Sequence, residues 1–434
     1  MNVLMFGWEF PPNISGGLGT ACHGIVNGLN AYSDVKVTFV VPKVSGNEMS
    51  SQNLQLLSAE EVANTERIPT VQFPENLEYI EVSSGLSPYL TPEIYAFKIK
   101  SASMIEPVNK TQPGSQGKKV SFSGKYGTSL FDEINNYAMV AKTIARNTVF
   151  EVIHAHDWLT FPAAISAKKI SGKPLVIHIH STDFDRSGGS ANPAIYAIEK
   201  KGMEVADHII TVSNMIKRRL VNQYHIPAEK ITTVYNAIDN GANHYPLKRK
   251  QKHNGKIVTF LGRITVQKGP EYFVNVARMI ISKMPDVHFV MAGAGELKNK
   301  MVELCARYQI GNRFHFTGFL NGDEVSEMLK KSDVVIMPSV SEPFGIVPLE
   351  AMSANVPVII SRQSGVSELV KHVIKTDFWD VHAMADAVYG ILKHRKLWKT
   401  LTVDGKTEVS KYNWVDTAAY IRNIYIQTLT EFAS

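Results

Sequence analysis

Two glutamates eight residues apart, Glu342 and Glu350, flank a Phe344-Gly345 turn in the stretch SEPFGIVPLEAM (341–352). Pro348 suits the first turn of a helix, where its missing N–H is not needed. A helix starting there would leave the N–H groups around Phe344, Gly345 and Ile346 at its positive end, ready for an anion. Upstream, LGRITVQKGP (261–270) places Arg263 after an apolar run and Lys268 before a helical one. Two fixed cations in one loop can grip a diphosphate from two sides, the guanidinium as a fork and the ammonium as a point charge. Carboxylates beside a diphosphate would repel it, so the two acids suit hydroxyls at its ends, a sugar on one side and a ribose on the other. One such charged hydrogen bond contributes about 1.5–3 kcal/mol net. Taken singly, each feature also fits a surface loop or acids favoured at a helix start.

Glycine turns follow other apolar runs. In PPNISGGLGT (11–20), Gly16, Gly17 and Gly19 let the backbone approach a bulky anion, with a helix expected from near Thr20. Gly293 in AGAGE (292–296) offers another close backbone approach. The first cluster is not G-x-G-x-x-G and no G-x-x-x-x-G-K-[ST] occurs, which argues against NAD and against a Walker loop. HAHDW (154–158) and HIHSTDFDR (178–186) each carry alternate histidines, which share one face of a strand and invite a metal. A packed or hydrogen-bonded imidazole is the simpler reading for His154 and His178, within their strands. His156, Asp157 and His180 stand at strand ends, where ligands bind. Asp183-Phe184-Asp185 spells D-x-D, for which helix capping is the simpler reading. No metal site is assigned, and no cofactor is expected.

The elements that position these residues are short apolar runs alternating with amphipathic stretches, the pattern of parallel sheets covered by helices. Strands are expected at 3–8, 35–41, 152–156, 174–180 and 208–213, then at 257–262, 288–293, 314–318, 334–339 and 356–361. This is an α/β chain of two Rossmann-like, doubly wound parallel-sheet domains facing a central cleft. The polar, basic stretch 240–256 separates them. The first domain is taken as 1–245, the second as 246–412, and a capped amphipathic helix from 413 to 434 as returning to the first. Residues 43–125 read as an insertion, and SLFDEINNYAMVAKTIA after it as a helix.

With 434 residues, 44% apolar and 20% charged, the chain has a globular balance with room for two cores. No run approaches the roughly 20 apolar residues of a membrane span, and a cytoplasmic location is expected. Cys22 and Cys305 each sit in a helical pattern, which argues for reduced thiols rather than a disulfide framework. A net charge of +6 suits an anionic small ligand; the basic run KRKQK lacks the interleaved aromatics of a nucleic-acid site.

Taken together, G-R-x-x-x-x-K-G followed by E-P-F-G-I-V-P-L-E-A-M resembles the retaining, nucleotide-sugar-dependent glycosyltransferases of the GT-B fold. HAHDW and WEFPPNISGGLGTA make it most similar to bacterial and archaeal glycogen (starch) synthases. The resemblance implies that Arg263 and Lys268 hold the donor diphosphate, Glu342 the transferred sugar and Glu350 the ribose. It implies that His180 lies beside the donor sugar and Asp157 near the acceptor. Gly16 and Gly17 would admit the pyrophosphate, and Gly318, Phe319 and Leu320 would lie along the base. The implied reaction moves glucose from ADP-glucose or UDP-glucose to an α-1,4-glucan, without a metal. A lipid or small-molecule acceptor, or an epimerase or hydrolase of the same architecture, is the alternative. Ser15 stands where synthases often carry Lys before Gly-Gly, Ser364-Gly365 stands for a Gly-Gly pair, and Asn355 stands where Gly is common.

Overall fold

The computed structural model describes residues 1–11, 16–44, 53–65, 122–123, 130–239 and 255–433. Ser15, most of the 43–125 stretch and nearly all of the basic segment 240–256 lie outside the described residues. The chain divides into two compact units. One holds Met1–Thr211, Arg219–Val234 and the last helix from Ala418; the other holds Val212–Arg218 and Tyr235–Thr417.

The first unit is built on seven parallel strands: β1 (Asn2–Phe6), β2 (Lys36–Val41), β3 (Leu54–Ser58), β4 (Val152–His156), β5 (Leu175–Ile179), β6 (His208–Thr211) and β7 (Ile231–Thr233), in the order β3-β2-β1-β4-β5-β6-β7. β4 and β5 are buried along their whole length, as expected of central strands covered on both faces. Their register pairs His156 with His178. The helix Leu130–Asn147 forms where its apolar spacing predicts, and Tyr137 on it donates from its buried hydroxyl to the carbonyls of Gly7 (3.1 Å) and Val40 (2.7 Å).

Two strands were not expected. β7 has three residues, too few to show a period. β3 lies within 43–125, so that stretch opens with an edge strand and the helix Ala59–Thr65 rather than being wholly an insertion. LQLLS lacks clean alternation and carries a polar residue mid-strand, which hid it.

The second unit carries six parallel strands: β8 (Lys256–Leu261), β9 (Val287–Ala292), β10 (Phe314–Gly318), β11 (Val334–Met337), β12 (Val358–Ser361) and β13 (Ile374–Thr376), ordered β10-β9-β8-β11-β12-β13. Phe260, Phe273, Phe289 and Phe314 form its buried aromatic centre, with neighbouring ring centroids 5.5–5.7 Å apart around Phe273. Each such burial is worth about 1.5–3 kcal/mol. β13, again three residues long, was not expected.

Each sheet reverses its strand order once, between β1 and β4 in the first unit and between β8 and β11 in the second. At such a switch the connections leave in opposite directions, opening a crevice at the carboxyl ends of the two strands. The last helix, Trp414–Ala433, is capped by Asn413, whose side chain accepts from the Asp416 N–H at 2.9 Å. Among the described residues no helix is long and apolar enough to cross a membrane.

Candidate functional site

In the second unit, the loop after β8 carries Arg263 and Lys268, and the loop after β11 carries Glu342. These loops leave the two strands flanking the switch. Lys268 Nζ lies 2.5 Å from Glu342 Oε2, and the Ser339 hydroxyl donates to the same oxygen at 3.1 Å. Glu342 is only 6% exposed, while Lys268 remains half-buried. The loops are held rigidly by backbone contacts. Val340 N–H donates to the Gln267 carbonyl at 2.9 Å. Gly269 is left-handed (φ +63°), and a Cβ there would stand 2.2 Å from the Pro338 carbonyl oxygen, so only glycine lets the loops touch.

Arg263 sits on the same loop, close enough to hold down the Glu296 carboxyl pKa, which burial pushes up. Ile264 exchanges hydrogen bonds with the glycine turn after β9, accepting from Leu297 N–H (3.1 Å) and donating to the Ala294 carbonyl (2.9 Å). Gly293 donates to the Gly318 carbonyl at 2.8 Å, so two glycines chosen for backbone approach lie against one another. Phe319 is 65% exposed and Leu320 half-buried beyond that bridge.

The Glu342 backbone is fixed by Gln363 and Gly365, its N–H donating to the Gln363 carbonyl (2.9 Å) and its carbonyl accepting from Gly365 N–H (2.8 Å). A Cβ on Gly365 would lie 2.1 Å from the Pro343 carbonyl oxygen, which explains the glycine of the Ser364-Gly365 pair. Phe344 turns inward, 3% exposed, its ring 6.3 Å from that of Tyr235, and Gly345 takes φ +98°. The expected helix begins with Ile346 as its cap and Pro348 in its first turn, but runs only from Val347 to Ser353. A helix this short contributes a small dipole, so cations rather than the helix end dominate here. Glu350 lies in its first turn, half-buried, and burial pushes its carboxyl up to about 7. Asn355 is left-handed (φ +59°), as its glycine-like position implies.

In the first unit, the loops after β1 and β4 flank the other switch. The helix after β1 begins at Gly17 rather than near Thr20, with Gly16 extended at its cap. Among the described residues nothing lies within 4 Å of where a Cβ on Gly16 or Gly17 would be. Asp157 follows β4 in a left-handed conformation (φ +57°), a strain of about 1–3 kcal/mol for a non-glycine residue. Its carboxylate is 1% exposed and engaged three times: by the N–H groups of His180 (2.7 Å) and Ser181 (3.3 Å), and by Arg186 Nη2 (3.0 Å). Burial raises its pKa to about 6 against the pull of Arg186. Asp157 thus holds the end of β5 in place, a positioning role in addition to the acceptor-side place that the resemblance implies.

His180 is 8% exposed and shares a 2.9 Å hydrogen bond between its Nε2 and His156 Nδ1. Burial depresses its pKa to about 3, so its imidazole is neutral at ordinary pH. Asp183 and Asp185 are structural. Asp185 accepts from the N–H (3.0 Å) and hydroxyl (2.9 Å) of Thr182 in a capping box, and Asp183 accepts from Asn192 N–H. Both cysteines are buried free thiols.

Sequence reasoning missed Ser339, Arg186 and Gln363. Ser339 closes the apolar run VVIMPS, so its position after a strand was the available signal. Arg186 acts through a helical turn that no spacing rule reveals.

Residues 245–406 match the family model of glycosyl transferases group 1, and residues 126–241 match that of glycosyltransferase family 4. The chain is 28% identical over 98% of both lengths to an uncharacterized glycosyltransferase of Methanocaldococcus jannaschii. It is 25% identical to the glycogen synthase of Mycobacterium tuberculosis, covering 85% of this chain and 80% of that one. In fold it is similar to sucrose-phosphate synthase from Thermosynechococcus elongatus (TM-score 0.71, 16% identity, 99% of each chain). It is also similar to Anabaena HepE in complex with UDP-glucose (TM-score 0.64, 15% identity, 98% of this chain and all of that one).

Proposed function

Since the chain belongs to the group 1 glycosyltransferases of the GT-B fold, we propose that it transfers glucose from UDP-glucose or ADP-glucose to the non-reducing end of an α-1,4-glucan, with retention. One observation carries the donor assignment: Lys268, on the loop that also bears Arg263, meets Glu342, on the loop after β11, at 2.5 Å beside the switch point of the second sheet. Two cations and an acid packed at such a crevice suit a sugar attached to a diphosphate. The glycogen synthase among the relatives and the UDP-glucose held by a structural neighbour favour glucose as the sugar.

Arg263 and Lys268 take the diphosphate, with the exposed Phe319, Leu320 and the Gly293–Gly318 bridge beside the base. Glu350 accepts from the ribose hydroxyls, and Glu342 from the hydroxyls of the transferred sugar. Taken by itself, the first unit offers open backbone at Gly16 and Gly17, which suits a bulky anion, and a neutral His180 that can donate from a ring nitrogen to a hydroxyl. As the bond from the anomeric carbon to the phosphate oxygen breaks, negative charge grows on the leaving phosphate. The two cations act on that growth more than on the bound donor, which accelerates the step. The acceptor hydroxyl bonds to the anomeric carbon on the same face and passes its proton to the departing phosphate oxygen. Arg263 and Lys268 supply the charge that a divalent ion would otherwise bring, so the transfer itself needs none.

A panel of UDP- and ADP-sugars with glycogen and maltooligosaccharides, scored for released nucleotide and chain extension, tests this. Extension by one α-linked glucose is expected. Turnover only with a lipid-linked or small acceptor would overturn the glucan assignment. Sugar release without any acceptor would overturn transfer.

A further inference from the structure

His154 and His156 on β4 and His178 on β5 place three imidazoles on one face of the first sheet, all 0% exposed. Alternate residues of a strand share a face, and the β4–β5 register sets His178 beside His156. His154 Nε2, His156 Nε2 and both ring nitrogens of His178 have no hydrogen-bond partner among the described residues. One nitrogen from each histidine lies within 4.8 Å of the others. Buried polar atoms without a partner are rare, and four on three neighbouring rings mark a spot built for an occupant that accepts lone pairs. The remaining nitrogens of two rings are engaged. His154 Nδ1 meets the Tyr425 hydroxyl at 2.5 Å, and His156 Nδ1 meets His180 Nε2 at 2.9 Å. Metal-ligating histidines divide their nitrogens in this way, one for the ion and the other fixed by an outer group.

We propose that His154, His156 and His178 bind one borderline transition-metal ion, Zn²⁺ or a close analogue, inside the first unit. Three imidazoles with a fourth position left to water form a set that zinc accepts, while Ca²⁺ and Mg²⁺ require oxygen ligands. Metal–nitrogen bonds of about 2.0–2.1 Å draw the three nitrogens together from their present spread. The His178 ring turns out of its stack on His154, where the planes lie 7° apart with centroids at 5.5 Å, to make that approach. The ion ties β4 to β5 and, through Tyr425, to the last helix. It braces the strand ends that carry Asp157 and His180 and takes no part in charge stabilisation at the diphosphate.

The proposal is independent of the donor and acceptor assignments, and its readout is metal content. The full chain, freed of any histidine tag, is stripped with EDTA and dialysed against micromolar Zn²⁺ or Co²⁺. About one equivalent is expected, with the visible absorption of four-coordinate Co²⁺ and a raised Tm. His178→Asn, which conserves much of the volume, should retain less than about a tenth of that content. Tyr425→Phe keeps all three ligands but loosens one, and should weaken affinity by about 10–100-fold. If His178→Asn does not fold, Tyr425→Phe decides alone, and unchanged affinity in it overturns the proposal. Folded wild-type chain that retains no metal also overturns it. So does equal binding by wild type and folded His178→Asn, which would move the ion elsewhere, for instance to the exposed His288–His315 pair, 3.0 Å apart.

Discussion

Lys268 and Glu342, 74 residues apart in sequence, form one ion pair at 2.5 Å, with the Ser339 hydroxyl on the same carboxylate oxygen. The cation expected to hold a diphosphate is thus already neutralised by the acid expected to hold a sugar. In the proposed reaction a donor shares Lys268 with Glu342 rather than meeting a bare charge. Each residue then sets the other's geometry, and substitutions at the two positions are coupled.

Lys268→Ala should lower turnover by roughly 10²-fold, in line with loss of one charge-stabilising donor. It should also destabilise the fold, because it leaves Glu342, 6% exposed, without its cation. Because the Lys268 side chain is 21% exposed, solvent screening reduces that cost to about 1–3 kcal/mol. Adding Glu342→Gln should restore most of the stability and none of the turnover. Urea unfolding and steady-state kinetics on the two single variants and the double close the cycle. Strict additivity in stability would mean that the pair is not formed in solution.

Glu342→Gln alone should impair transfer more than nucleotide binding. Its side chain can still accept from Ser339 but no longer presents a full charge to Lys268 and the sugar. Calorimetric titration with UDP or ADP beside kcat measurements separates the two effects. Weakened nucleotide affinity with normal kcat would exchange the roles of Glu342 and Glu350.

Glu350 gives a pH signature. Burial raises its pKa to about 7, above the ordinary 4.5. A folded state that holds its proton more tightly than the unfolded chain gains stability at low pH and loses it as pH climbs from 4.5 through about 7. Glu350→Gln should therefore raise Tm at pH 8 while leaving it nearly unchanged at pH 4. Only the ionised form offers both oxygens to ribose hydroxyls, so the donor KM should fall as pH rises through 7, and the variant should lose that slope. A parallel slope in Glu350→Gln would exclude this carboxylate from the ribose.

Arg186 is the cation of a buried pair, with side-chain exposures of 9% for Arg186 and 1% for Asp157. Arg186→Leu removes the charge that opposes the burial-driven rise in the Asp157 pKa, so that pKa climbs above about 6. A raised acid destabilises the fold where it must ionise, so the loss should be larger at pH 8 than at pH 5. Its size should be about 3–5 kcal/mol, as for other broken buried pairs. Turnover should fall with it, since Asp157 fixes the backbone N–H of His180. Equal losses at both pH values would mean that Asp157 does not titrate against Arg186.

The architecture was legible in the sequence because parallel strands buried on both faces need apolar runs, and VIHAH, LVIHI and VVIM announce themselves without partners. The strands that escaped notice, β3, β7 and β13, sit at or near sheet edges, where short length and partial exposure relax that demand. The residue types of the proposed donor site stood out for a related reason. Diphosphates and hydroxyls need cations, acids and glycines next to strand ends, and these stand close together along the chain. The pairing of Lys268 with Glu342, the clamp of Arg186 on Asp157 and the meeting of three histidines around unpartnered nitrogens were decided only by tertiary structure. Each depends on which strands become neighbours and in what register, a choice made by the packing of the entire sheet. Local sequence spacing carries no record of it.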